Sequence, residues 1–241
     1  MASRANSFLL SHIVNGRILF PASGYVTLAW KTFAESLGRD FESLPVAIEK
    51  LKLIKSSVLS KNDSIIFTIS IMKSGEFEIS DQTDVVASGR IRVFKVIKHE
   101  FSNNPNCIPT KLCTDLKLNA DDIYTDFYIR GSQYGNNFRS IKEIDYNCKT
   151  AMVKWSKNWI TFLDSIFQSM ALFENSTLAI PEQVSNIVIN PAVFKVKVKQ
   201  LSLNYSNFQK CIYRDGVKVN NVRWSKVPIK RESRKYLKKT T

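Results

Sequence analysis

Apolar and polar positions along this chain fall into two blocks that follow the same grammar. In the first, a strand-like segment from His12 runs into PASGYVTLAWKTFAESL, apolar on most sides through Tyr25, Val26, Leu28, Ala29, Trp30, Phe33 and Leu37. That pattern predicts a helix from about Pro21 to Leu37, buried nearly all round. Proline suits a first helical turn, where its missing N–H has no partner to lose. Four strand-like runs follow: LPVAIEKLKLI (44–54), SIIFTISIMKS (64–74), EFEIS (76–80) and VVASGRIRVFKVI (85–97). They are rich in β-branched residues, often alternate, and are divided by turn-forming clusters. The block reads as one long buried helix wrapped by an antiparallel sheet.

Residues 98–119 hold two prolines and many polar side chains, which marks a linker. A short helix from about Ala120 to Tyr128 leads to GSQYGNNF (131–138). Strands in 138–147 and 150–156 come next, then a helix from about Trp159 to Phe173. Strands in 186–190, 192–203, 208–213 and 217–227 close the second block. The class is therefore α+β, with helix-plus-sheet units at 1–97 and 120–225, a linker at 98–119 and a tail at 226–241. Sequence identity between the units is negligible, and a structural duplication fits their order.

Composition adds limits. Of the 241 residues, 44% are hydrophobic and 23% charged, ordinary for a globular chain. No run approaches the ~18 apolar residues of a membrane span. The N-terminal FLLSHIV is too short for a signal-peptide core and is broken by His12, Asn15, Gly16 and Arg17. A cytoplasmic protein is expected. Cys107, Cys113, Cys148 and Cys211 form no CxxC pair and no metal-ligand spacing, so reduced cysteines and no metal are expected. The net charge is +14, and from Lys226 onward seven Lys or Arg face one Glu. Such a surface attracts anionic partners. Nucleic acid is the poorer fit, because the aromatic residues sit within apolar stripes and are not interleaved with Lys and Arg as stacking platforms.

Candidate chemistry lies in two places. In KNWITFLDSIFQSMALF (157–173), Trp159, Phe162, Leu163, Ile166, Phe167 and Met170 form a wide apolar stripe. Asp164 and Gln168, four apart and so on one face, interrupt it. A carboxyl buried there would pair or take up a proton, acting as a structural cap or a catalytic acid; exposure on the outer face is the bland alternative. His12 taken alone is a satisfied polar group, an exposed one, or a base. His99, in the polar linker, reads as solvated and without a role.

Longer patterns decide between these. HIVNGRILFP fits HxxxGxxxxP in full, at His12, Gly16 and Pro21. That pattern resembles the signature of the dehydratase domains of animal-type fatty acid synthases and related polyketide synthases, and GRILFPASGYVTLAWKTFAE is similar to the fatty acid synthase form. LPVAIEKLKLIKSSVL and VVASGRIRVF resemble the strands that follow the first helix and close the first half. YIRGSQYGNNF resembles RGYxYGPxF, and NWITFLDSIFQ a helix with a DxxxQ or DxxxH pair. The matches run in order from about residue 9 to 230.

The resemblance implies a double hot dog fold, two long helices each wrapped by an antiparallel sheet. It implies His12 as general base and Asp164 as general acid, meeting at a tunnel between the halves. Gly16 and the helix start at Pro21 would aim backbone amides at the substrate carbonyl, Tyr134 and Gly135 would line the tunnel, and Gln168 would hold Asp164. The implied substrate is a (3R)-3-hydroxyacyl thioester on the phosphopantetheine of an acyl carrier protein. No cofactor beyond that arm is implied. Other synthase domains are the implied neighbours, with a homodimer possible and neither nucleic acid nor membrane as a partner. Three positions depart from the family wording: Ser132 for its Tyr, Asn136 for its Pro and Lys157 for a common acidic residue. A catalytically weakened dehydratase-like module, acting as a scaffold or as a binder of acyl chains or carrier protein, is the alternative these departures raise.

Overall fold

A computed structural model describes residues 4–62, 64–82, 84–95, 117–174, 179–192, 199–214 and 216–226. His99, Cys107, Cys113, most of the expected linker and the basic tail past Lys226 lie outside the described residues. So do 193–198 of the expected 192–203 strand.

A 3-10 stretch, Arg4–Ser11, leads into a hairpin of β1 (His12–Val14) and β2 (Arg17–Ile18). The strands are joined by Asn15 and Gly16, both at positive φ (50° and 72°). Asn-Gly is the pair that tolerates two such residues in a two-residue turn. The expected strand-to-helix run is thus interrupted by a tight reversal. Helix α1 (Ala22–Ser36) starts one residue later than expected, with Pro21 as its cap at φ −71°. Strands β3 (Val46–Leu53), β4 (Phe67–Ile71), β5 (Glu76–Asp81) and β6 (Asp84–Val93) complete the first half.

The second half opens with β7 (Lys117–Asn119), so the last three residues of the expected linker are a strand, paired with β9 (Ile141–Asp145). Helix α2 (Ala120–Arg130) is capped by a reciprocal pair: the Asn119 side chain accepts from the Asp122 amide, and the Asp122 carboxylate accepts from the Asn119 amide. It ends at Gly131, left-handed at φ 102°. Then come β8 (Ser132–Tyr134), β10 (Thr150–Lys154), α3 (Trp159–Phe173), β11 (Ala179–Ile189), β12 (Gln200–Ser206), β13 (Cys211–Arg214) and β14 (Val217–Lys226). Strand β11 begins well before the expected 186–190 run. Its early part contains Pro181, tolerated at a register shift between Pro181 and Gln183.

Among the described residues eleven strands form one antiparallel sheet in the order β4-β5-β6-β3-β11-β14-β13-β12-β10-β9-β7. The two halves meet within it, because β3 pairs directly with β11 from Val46↔Ile189 to Lys52↔Gln183. Helix α1 packs on β3 to β6 of this sheet and α3 on β9, β10, β12 and β13. Trp30 of α1 and Trp159 of α3 pack edge to face, ring centroids 5.1 Å apart, and the Trp30 indole N–H donates to the Leu44 carbonyl at 3.0 Å. A second, three-stranded sheet has the order β2-β1-β8 and also joins the halves, with His12 opposite Tyr134.

Cysteine usage departs from the expectation of four reduced thiols: Cys148 is disulfide-bonded, while Cys211 is a buried free thiol. Among the described residues no helix is long and apolar enough to cross a membrane.

Candidate functional site

The site is built where residues of β1 and β8 line one cavity with residues of α3. Strand β1 is held between β2 and β8, and this fixes its first residue, His12. Backbone and side chain of His12 both bond to Leu19: the Leu19 amide donates to the His12 carbonyl at 3.0 Å, and Nδ1 lies 2.9 Å from the Leu19 carbonyl. A carbonyl can only accept, so Nδ1 carries the proton and Nε2 of the neutral ring is the free lone pair. The rings of Phe138 and Tyr134 flank the imidazole, at 5.1 and 5.5 Å between centroids.

Asp164 comes from the middle of α3, on the face that also carries Phe167, Gln168 and Ala171. Its Oδ1 is 3.7 Å from His12 Nε2, with His12 7% and Asp164 5% exposed. That separation is longer than a hydrogen bond, so neither group is committed to the other. Oδ2 accepts from Gln168 Nε2 at 2.7 Å. Burial raises the Asp164 carboxyl above the usual aspartate range, and this outweighs the opposing influence of His12 and the Gln168 donor. Burial also pushes the Tyr134 hydroxyl up, with the nearby Asp164 adding to the shift. Tyr134 therefore stays a neutral donor.

His12, Tyr134, Asp164 and Gln168 all line one cavity of about 70 Å³, together with apolar Val14, Leu19, Phe20, Phe127 and Phe167. The structure thus unites four of the seven residues singled out in the sequence. The other three shape the backbone around them. Gly16 sits at the exposed tip of the hairpin and is not among the cavity-lining residues. Nothing lies within 4 Å of where its Cβ would be, so glycine serves the positive φ there and not a close approach. Pro21 is buried one residue before Ala22, which does line the cavity. As a cap it offers no side-chain acceptor to the first amides of α1. Gly135 packs on the chain leading into β1: its amide donates to the Ser11 carbonyl at 2.8 Å, and a Cβ would meet Ser11 Cβ at 2.5 Å.

The loop with Asn136 in place of proline is nonetheless tied down. The Gly135 carbonyl accepts from Phe138 N at 2.8 Å and from Arg139 N at 3.2 Å. Ser132 lines the cavity, and Lys157 takes φ 60° just before Asn158, whose side chain caps α3. Among the described residues no group of three or more His, Cys, Asp or Glu could hold a metal ion.

Three contributors were not legible in the sequence: the carbonyls of Leu19 and Phe138, and the Tyr124 hydroxyl. Tyr124 OH lies 3.1 Å from Gln168 Oε1, and the Phe138 carbonyl accepts from Gln168 Nε2 at 3.1 Å. Backbone carbonyls leave no trace in residue type. Tyr124, beside Ile123 and before Phe127, reads as part of an apolar helix face.

No protein-family model matches the chain. Solved structures do. The dehydratase domain from the CurF module of curacin polyketide synthase superposes with TM-score 0.73 at 16% identity, over 95% of this chain and 91% of that one. A CurK dehydratase with a histidine-to-phenylalanine change, described as an inactive mutant, gives 0.66 at 15% identity, over 95% and 90%. The dehydratase domain of PpsC from Mycobacterium tuberculosis, in complex with C12:1-CoA, gives 0.67 at 12% identity, over 91% and 89%. The chain has the double hot dog fold of these domains.

Proposed function

We propose that this chain is a dehydratase that removes water from (3R)-3-hydroxyacyl thioesters on an acyl carrier protein, giving trans-2-enoyl thioesters in fatty acid biosynthesis. The observation that carries the reading is the pair at 3.7 Å, His12 Nε2 and Asp164 Oδ1, uncommitted to each other across an apolar cavity. Loss of water requires a base at C2 and an acid at the C3 hydroxyl. An imidazole with its Nδ1 proton engaged by Leu19 offers Nε2 as the base. A carboxyl kept protonated by burial offers the acid. Because the two groups are neighbours, proton and hydroxyl leave from one side of the C2–C3 bond.

The substrate carbonyl gains negative charge as the C2 proton departs. Amides at the start of α1, beside Ala22 and without a side-chain cap, are suited to stabilise it. The Tyr134 hydroxyl, facing the same cavity, is suited to orient the thioester. The phosphopantetheine arm is the only carrier needed, and the basic surplus of the chain favours an acidic carrier domain. The inactivity of the histidine variant of CurK dehydratase and the acyl thioester bound by PpsC dehydratase support the same assignment.

The test is turnover of a 3-hydroxyacyl thioester, on carrier or on a pantetheine mimic, by purified protein. Enoyl product should form with wild type and fall by at least about 10²-fold with His12→Ala. Ser132 and Asn136, which replace the family's tyrosine and proline, favour the second reading, a module that binds acyl chain or carrier without chemistry. Tight binding with no enoyl product would select it.

A further inference from the structure

We propose, building on the dehydratase reading, that Tyr124 is a positioning residue that fixes which oxygen of the Asp164 carboxyl carries the reactive proton. Tyr124 acts through the Gln168 amide. A glutamine amide can face its surroundings in two orientations, exchanging its acceptor oxygen for its two N–H donors. Here three neighbours choose between them. The Phe138 carbonyl can only accept, so it takes an N–H, at 3.1 Å from Nε2. The Tyr124 oxygen already accepts the Ile141 amide at 3.0 Å, so its own proton is free to point outward. Two acceptors lie 3.1 Å from that oxygen: the Phe138 carbonyl, which already takes the Gln168 N–H, and Gln168 Oε1, whose acceptor capacity the proton fills. The second N–H then falls on Asp164 Oδ2 at 2.7 Å.

An oxygen that accepts an N–H at that distance has no room for a proton of its own on the same side. The acid proton of neutral Asp164 is thereby directed to Oδ1, the oxygen 3.7 Å from His12 Nε2. In the opposite amide orientation Oε1 would face Asp164, the proton would move to Oδ2 to reach it, and the acid would point away from the reacting carbons. Tyr124 is well suited to hold the first arrangement. Burial raises its hydroxyl far above the working range, so it remains a donor throughout. Its ring is fixed by the Arg139 guanidinium, 4.9 Å from the ring centre, which in turn bonds Asp121 at 3.2 Å.

The titratable groups around Asp164 are His12 from β1, Tyr134 from β8 and Tyr124 from α2. Lys55 and Arg130 line the same cavity but pair with Asp84 and Asp126.

Tyr124→Phe keeps the ring and removes only the hydroxyl. We expect kcat to fall about tenfold with KM within about twofold of wild type. The basic limb of the pH–rate profile should move to higher pH, because Asp164 loses a steady N–H donor that favours its ionised form. In a Gln168→Ala background the same change should cost nothing further, since Tyr124 acts only through Gln168. The midpoint of the Asp164 carboxylic C=O infrared band, isolated by subtracting Asp164→Asn, should shift upward with Tyr124→Phe whether or not the protein turns over. Thermal melts check that each variant is folded.

Absence of wild-type turnover would sink the dehydratase reading, while the infrared midpoint still decides this one. An unmoved midpoint, or a uniform rate loss that persists in the Gln168→Ala background, overturns the role of Tyr124.

Discussion

Asp164 places a testable strain on stability, because a carboxyl with a raised pKa in the folded state must hold a proton that the unfolded chain would release. The unfolded group ionises near its ordinary value, about 4. As pH climbs past that point the folded state loses stability relative to the unfolded one, until pH exceeds the raised folded value. Asparagine escapes this dependence and can still offer its side-chain oxygen to Gln168. Asp164→Asn should therefore melt at or above the wild-type temperature at pH 7, with the gap closing as pH is lowered toward 4, while turnover drops by at least about 10²-fold. A variant less stable than wild type by the same margin at every pH would contradict a buried, proton-holding carboxyl. At this scale Asp164 and Gln168 stood out as a polar pair on one apolar helix face, whereas His12 and Tyr134 were singled out through the family resemblance of the motifs that hold them. Gly16 carries less information, because glycine serves a positive φ as readily as any role at a site, and type alone does not say which. Tyr124 escaped notice because its bond to Gln168 spans 44 positions and its neighbours look like core.

The long helices and the ten-residue strands announced themselves through periodicity, whereas β1, β2 and β8 are two or three residues long and too short for any period to register. Yet those short strands place His12, so the turns that hold them are where mutation should tell. Gly16→Ala forces a side chain into φ 72° with nothing nearby to clash, and should destabilise by about 1 kcal/mol. Gly16→Asn, which tolerates that region, should lose less; chemical denaturation of the two variants measures the difference. Gly135→Ala is a different case. Its Cβ would fall 2.5 Å from Ser11 Cβ, so the loop or the chain before His12 must move. We expect kcat to fall about tenfold or more, because a displacement near 1 Å at a catalytic group has effects of up to about 10²-fold. Wild-type kcat in Gly135→Ala would mean that the Ser11 contact does not position the base.

Two helix-and-sheet units could in principle be independent bodies joined by a linker, and the sequence, with its repeated grammar and polar 98–119 stretch, suggests such a division. The sheet argues otherwise. The β3–β11 ladder makes one surface of what would have been two, the β1–β8 ladder ties the halves a second time, and the Trp30–Trp159 contact joins the helices beneath. What periodicity could not show is this pairing between strands more than 110 positions apart, which depends on the edges each half leaves open and not on any local pattern. A site that brings His12 of one half to 3.7 Å from Asp164 of the other needs that continuity. The expected consequence is a single cooperative unfolding transition, with tryptophan fluorescence and far-ultraviolet circular dichroism changing together. Trp159→Ala, which empties a buried site in α3, should cost about 3–5 kcal/mol and lower the midpoint of the whole transition by about 10 °C. If it instead split the melt in two, leaving part of the sheet at the wild-type midpoint, the halves would be separate folding units and the shared ladder would be a contact between finished bodies, not part of what makes each one stable.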